Sequence, residues 1–129
     1  MQGQHPERCV LLIAERDPSV RELQRHFLEK AGFALDFADD GEEALERARE
    51  ARPSLIVTEI LIPRLDGLAL CRRLKEDPLT REIPVIVISA DATPGTIERL
   101  MGAGARGYLP KPLDVEQFLN TVDEILQTE

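Results

Sequence analysis

Glu15, Arg16, Glu59, Ser89 and Lys111 are the residues whose types could do chemistry together, because each stands at or just beyond the end of an apolar run. Cys9–Ala14 breaks into Glu15-Arg16-Asp17-Pro18. Leu55–Val57 passes through Thr58 to Glu59, Val85–Ile88 ends on Ser89, and Arg106–Leu109 is followed by Pro110-Lys111-Pro112. If these runs are parallel strands of one sheet, their polar ends emerge on the carboxyl edge, where open α/β sheets bind ligands. Helix starts recruit polar residues for capping, which accounts for Asp17, Asp40, Asp66 and Asp114. It does not account for Glu59 and Lys111, which precede turns.

Several chemistries can be set aside on spacing alone. Ser89 has no histidine near it in sequence, and both His5 and His26 fall outside the group, so a Ser-His hydrolase is disfavoured. No glycine-rich turn follows the first run, so the start of the first helix is a poor phosphate cradle. Arg16 carries a planar donor fork one strand away from Glu59, which invites a bidentate ion pair.

The elements that position these groups alternate along the chain. Cys9–Ala14 reads as a buried strand, and Asp17 caps a helix with Pro18 at its first position and Val20, Leu23, Phe27, Leu28 and Ala31 at helical spacing before Gly32. Phe33–Ala38 reads as an edge strand. Asp40 and Glu43 have capping-box spacing, and Ala44, Leu45, Ala48 and Ala51 mark the inner face of a second helix that stops before Pro53.

A third strand opens at Leu55, and a third helix runs from Asp66 to about Glu76 with Leu68, Cys71 and Leu74 inward, broken by Asp77-Pro78. Pro84–Ser89 is a fourth buried strand. Thr93-Pro94 opens a fourth helix carrying Ile97, Leu100 and Met101. Arg106–Leu109 is a short fifth strand, and Asp114 and Gln117 cap a last helix with Val115, Phe118, Leu119, Val122, Ile125 and Leu126 on one face. Five strands alternating with five helices over short loops predict an α/β fold, an open parallel sheet with helices on both faces.

Composition narrows the function classes. With 129 residues and 43% hydrophobic content the chain suits one core, expected over 9–127 behind a loose tail at 1–8. A formal net charge of -8, no Trp, one Tyr and four scattered Phe argue against direct nucleic-acid binding. Cys9 and Cys71 lack both disulfide density and metal-ligand spacing, so they read as buried thiols. No apolar run approaches the roughly 20 residues of a membrane span, and Met1–Arg8 lacks a signal core, which predicts a soluble cytoplasmic protein with no membrane contact.

Glu59-Ile60-Leu61-Ile62-Pro63-Arg64-Leu65-Asp66-Gly67, Ser89-Ala90, and Gly104-Ala105 through Tyr108 to Lys111-Pro112 occur in an order and separation that resemble the response-regulator receiver domain of two-component signalling, from Cys9 to about Ile125. The resemblance implies a flavodoxin-like doubly wound five-stranded parallel sheet of order 2-1-3-4-5 with five helices, and a cis bond before Pro112. It further implies that Ser89 and Tyr108 are the hydroxyl and the switch aromatic that move on activation. The implied partner face lies on helix four, strand five and helix five, where Arg99, Arg106, Tyr108 and Glu116 are candidates. The implied partner is a histidine kinase, another signalling protein or an output domain, and a homodimer is open.

The departures fall on the chemistry. In a working receiver two acids after strand one hold Mg2+ and an aspartate after strand three accepts a phosphoryl group. Here those places read Glu15-Arg16 and Glu59, and with Lys111 the four carry no net formal charge. The chain is therefore expected to be a non-enzymatic pseudo-receiver that has lost Mg2+, uses no cofactor and signals independently of phosphorylation at the usual site. Two rivals remain: an active receiver using Glu59 or Asp66, and a small flavodoxin-like ligand-binding domain. Pro110 is a lesser departure, removing a donor from the sheet edge.

For Glu59 two arrangements compete. It is longer than aspartate by one bond, about 1.5 Å, so it can reach toward Ser89 and Lys111 as a phosphorylated aspartate would. A bidentate pair with Arg16 would instead hold it on the strand-one side, and charge-assisted pairing favours this second arrangement.

Overall fold

The computed structural model describes residues 9–91 and 93–127; the expected tail at 1–8 lies outside them. Strands β1 (Val10–Ala14), β2 (Ala34–Ala38), β3 (Leu55–Glu59), β4 (Val85–Ser89) and β5 (Gly107–Pro110) alternate with helices α1 (Pro18–Lys30), α2 (Gly41–Ala51), α3 (Gly67–Glu76), α4 (Pro94–Gly102) and α5 (Val115–Gln127). All neighbouring strands are parallel, in the order β2-β1-β3-β4-β5. The chain order reverses direction at β1/β3, so the carboxyl ends of those two strands flank the crevice where such sheets bind ligands.

The helices start where acidic side chains accept orphaned amide protons: Asp17 from Ser19, Asp40 from Glu43, Asp66 from Ala69 and Asp114 from Gln117. The second box is displaced by one residue, since Glu43 accepts from the N–H of Asp39 rather than Asp40. Thr93 precedes α4 without a side-chain cap.

Two apolar layers sandwich the sheet. On one face Leu11, Ile13, Leu55, Val57, Ile86 and Ile88 pack against Phe27 and Leu28 of α1 and Phe118, Val122 and Ile125 of α5. Phe27 and Phe118 meet edge to face, with centroids 5.7 Å apart. On the other face Leu12, Ile56, Val85 and Val87 pack against Ala44, Leu45 and Ala48 of α2, Leu70, Cys71 and Leu74 of α3, and Leu100 of α4. Both Cys9 and Cys71 are buried free thiols, and among the described residues no helix is long and apolar enough to cross a membrane.

The inner faces differ from expectation in several places. Leu23, Ala31, Met101 and Val115 are exposed, as is Ala51, while Gln24 is buried in place of Leu23. On a helix of 3.6 residues per turn, Gln24 stands about 40° from Leu28 and Leu23 about 140°, so Leu23 turns away from a stripe centred on Leu28. Leu70 rather than Leu68 leads the inner face of α3, Leu68 being only half-buried. Pro110 belongs to β5 itself, the edge strand, in register with Ser89 of β4.

Candidate functional site

The loop after β3 is tied down so that Glu59 has a fixed root. The N–H of Gly67 donates to the carbonyl of Ile60, and a Cβ on Gly67 would lie 2.5 Å from the carbonyl oxygen of Glu59. The N–H of Gly41 donates to Pro63, and a Cβ there would lie 1.8 Å from the carbonyl oxygen of Leu65. Between them the Leu65 N–H donates back to Pro63 across Arg64, whose φ of 72° closes a tight γ-turn. Two close backbone approaches thus set the β2–α2 loop, the β3–α3 loop and the end of β3 in one unit.

Glu15, Arg16, Glu59, Ser89 and Lys111 all arrive at the carboxyl edge. Glu15, Arg16 and Glu59 line one hollow with Leu61, Ile62 and Asp66, and Glu59, Ser89 and Lys111 line the next with Asp91, Thr96 and Arg99. Glu59 lines both hollows, and Lys111 the second.

The cation on Glu59 is not the expected one. Lys111 Nζ donates to Glu59 Oε1 at 2.6 Å, with the Glu59 side chain mostly buried, whereas Arg16 is exposed and makes no ion pair among the described residues. β1 is the direct neighbour of β3, while β5 lies two strands away, roughly 10 Å. The long lysine stem spans that gap, and Arg16 projects outward from the β1–α1 turn into water. The Arg16–Glu59 pairing is therefore replaced by Lys111–Glu59.

Glu15 is the member of the group that its charged sequence surroundings hid. It is 5% exposed, because its own N–H continues the ladder by donating to Ala38 one residue beyond β1. Its Oε2 accepts from the Asp17 N–H at 3.0 Å, but its Oε1 is buried with no donor. Burial first, then the neighbouring Glu59 carboxyl, push its pKa up to about 7, against the opposing pull of the Asp17 N–H and of Lys111. The signal available in the sequence was its position directly after six consecutive apolar residues, Cys9–Ala14.

Ser89 and Tyr108 face the β4–α4 loop. Ser89 is buried, and its Oγ accepts from the Asp91 N–H at 3.0 Å rather than contacting Glu59. The Tyr108 hydroxyl donates to the carbonyls of Ser89 and Asp91, both at 3.3 Å, which leaves its ring half-buried against α4 and the sheet. Asp91 accepts from the Thr93 N–H and from Thr96 Oγ1, contacts that hold its carboxyl below the usual range. Arg99, Arg106 and Glu116 are exposed on α4, the start of β5 and α5, and the Lys111–Pro112 bond is cis.

Comparison with known proteins agrees with this geometry. A sequence profile described as the response regulator receiver domain matches residues 11–123. The chain is 36% identical over 119 residues to the polar-differentiation response regulator DivK of Brucella anthropi, covering 92% of this chain and 96% of that protein. It is 37% identical over 119 residues to the response regulator MprA of Mycobacterium leprae, covering 91% of this chain but only 50% of MprA, so it spans about half the length of that relative. Among solved structures, the signal receiver domain of a signal transduction histidine kinase from Syntrophus aciditrophicus superposes with a TM-score of 0.85 at 34% identity, over 92% of this chain and 90% of that one. The chemotaxis response regulator CheY4 of Vibrio cholerae superposes with a TM-score of 0.85 at 25% identity, over 92% and 98%.

Proposed function

Because this chain belongs to the response regulator receiver domain family, we propose that it is a receiver module that signals through protein contacts without phosphorylation at the usual site. The observation that carries this reading is the Lys111 ammonium 2.6 Å from Glu59 Oε1. Glu59 occupies the end of β3, where the family's phosphoacceptor aspartate would stand, and its carboxylate is already engaged by the lysine that would otherwise attend a phosphoryl group. Asp66, the other candidate acceptor, spends its carboxylate on the Ala69 N–H at the start of α3.

The residues present do not fit Mg2+. A divalent cation of this kind is held by ionised, available carboxylate oxygens in near-octahedral geometry. Of the two acids that converge here, Glu15 is buried, which pushes its pKa up, and Glu59 is bound to Lys111, while the place of the second metal-holding acid is taken by Arg16. The pocket lacks the second acid beside Glu15, and its unengaged oxygen, Glu15 Oε1, stands without one.

The domain is fixed in a single arrangement, with Glu59 on the Lys111 side and Tyr108 bonded to the β4–α4 loop. Its partner is a protein, a histidine kinase, another signalling protein or an output domain, met through α4, β5 and α5 by way of Arg99, Arg106, Tyr108 and Glu116. Neither nucleic acid nor membrane is a partner in this reading, and we place the chain in the cytoplasm; self-association into a homodimer is compatible with it.

Pull-down from the source cells tests this. The wild-type chain should capture the same partner with and without Mg2+ and a small-molecule phosphodonor, and Glu59→Ala should weaken the capture. A partner retained only when the phosphodonor is present contradicts the proposal.

A further inference from the structure

Leu61 is the most exposed large apolar side chain among the described residues, at 86%. A single exposed leucine is ordinary, but this one lines both hollows of the carboxyl edge, in a loop whose backbone is tied down by the bonds of Ile60, Gly41 and Gly67. Ile60, Ile88 and Ala90 continue its apolar surface into the second hollow, and Ile62 and Pro63 into the first. The hollows measure about 320 and 280 Å3, and Arg16, Leu61, Asp91 and Arg99 on their rims are exposed. Pockets that enclose a small ligand start at about 300 Å3 and cover most of its surface. Two small open hollows joined by a leucine suit the side chains of a docked segment instead.

The charges beside Leu61 select the occupant. Arg16 stands at the first hollow and Arg99 at the second, and neither forms an ion pair among the described residues. Several arginines elsewhere are matched by the chain's own acids, Arg21 by Asp39, Arg47 by Glu43 and Arg49 by Asp77. The acids that share the hollows are engaged or enclosed. Glu59 holds Lys111, Asp66 accepts from the Ala69 N–H, Asp91 uses both oxygens on the Thr93 N–H and Thr96 Oγ1, and Glu15 is buried. On a chain of formal net charge -8, this edge therefore offers two uncommitted guanidinium forks, one in each hollow that Leu61 joins. A planar fork of this kind binds a carboxylate through two parallel hydrogen bonds.

We propose that the carboxyl edge is a docking surface for an acidic segment of a partner protein, with Leu61 packed against an apolar residue of that segment and Arg16 and Arg99 each paired with one of its carboxylates. The inference rests on the reading of the chain as a module that works through protein contacts, and it adds the chemistry of the partner. It also carries the contact face from α4 across the β3–α3 loop to the β1–α1 turn. An apolar centre with arginine beside it is the composition that protein interfaces favour. A basic segment would set like charges against both guanidiniums, which is costly. The Glu59–Lys111 pair is already neutral and stays as it is, so docking needs no rearrangement of the site.

The test is fluorescence anisotropy of a short labelled peptide alternating glutamate and leucine, titrated with the whole chain. The peptide should bind in spite of the negative charge of both molecules, and more weakly as salt rises. Leu61→Ser should weaken binding about tenfold, and Arg16→Gln and Arg99→Gln about fivefold each. All three side chains are exposed, so these substitutions leave the core in place. Arg73→Gln, exposed on α3 and lining neither hollow, should bind as the wild type does. A peptide with lysine in place of glutamate should not bind. Failure of the glutamate–leucine peptide to bind, equal binding of the lysine peptide, or an affinity that Leu61→Ser, Arg16→Gln and Arg99→Gln leave in place overturns the docking surface. The pull-down described above separates the two levels of argument. A partner captured with and without phosphodonor while the peptide fails leaves the module reading standing and removes this surface, whereas a partner held only with phosphodonor contradicts the module reading whatever the peptide does.

Discussion

Glu15→Gln will keep its stability between pH 5 and pH 8, while the wild-type chain loses about 2.5 kcal/mol over the same rise. In the folded chain the Glu15 carboxyl is pushed from 4.5 up to about 7, chiefly by burial and then by Glu59. Between those values the folded state holds a proton that the unfolded state has released. Stability is therefore complete below the lower value, falls as pH climbs toward about 7, and levels off above it. Glutamine keeps the acceptor for the Asp17 N–H and cannot ionise, so the slope disappears. Glu43, Asp77 and Asp91 have carboxyls held low by their partners and lose their contributions only in more acidic solution, outside this window. Chemical denaturation at a series of pH values reads the difference; parallel curves for the two proteins would show that Glu15 is ionised in the folded chain.

The second large effect is expected from a single methyl group at the start of α2. Gly41→Ala places a Cβ 1.8 Å from the carbonyl oxygen of Leu65, and the obstacle is backbone, which cannot rotate away as a side chain would. Either α2 or the β3–α3 loop must move, at a cost of about 3 kcal/mol. The Gly41 N–H bond to Pro63 is lost in the same movement, and the tight turn at Arg64 that sets the end of β3 is loosened. Glu59 should then lose its contact with Lys111, so the variant is expected to show both a lowered denaturation midpoint and an altered Lys111 Nζ resonance. Gly95→Ala, where no atom lies within 4 Å of the added carbon, is the control and should lack both effects.

Much of this was legible in the sequence because local signals agreed with the fold. The central strands announced themselves as apolar runs, β-branched throughout in Val85–Ile88, and the helix starts as Asp17, Asp40, Asp66 and Asp114, all four of which cap as read. The motif from Glu59 to Gly67 and the Lys111-Pro112 pair gave the family and with it the strand order. What sequence could not decide was direction. Leu23 fits a helical period as well as Gln24 does, and only the sheet beneath α1 selects between them. Arg16 is nearer to Glu59 by strand adjacency, yet Lys111 makes the pair, because the β1–α1 turn points the guanidinium outward while the lysine stem lies across the sheet edge. Glu15 looked like the first residue of a charged loop, and its burial depends on one extra rung of the β1–β2 ladder.

The central claim is that this pocket is closed to phosphoryl chemistry, and mass spectrometry of the intact chain tests it most directly. The wild-type protein, incubated with Mg2+ and a small-molecule phosphodonor, should gain no phosphoryl group, whereas the double variant Arg16→Asp with Glu59→Asp, which restores a second acid beside Glu15 and the shorter acceptor, should gain one. A phosphoryl group on the wild-type chain at Glu59, Asp66 or any other carboxylate of the pocket would contradict the account.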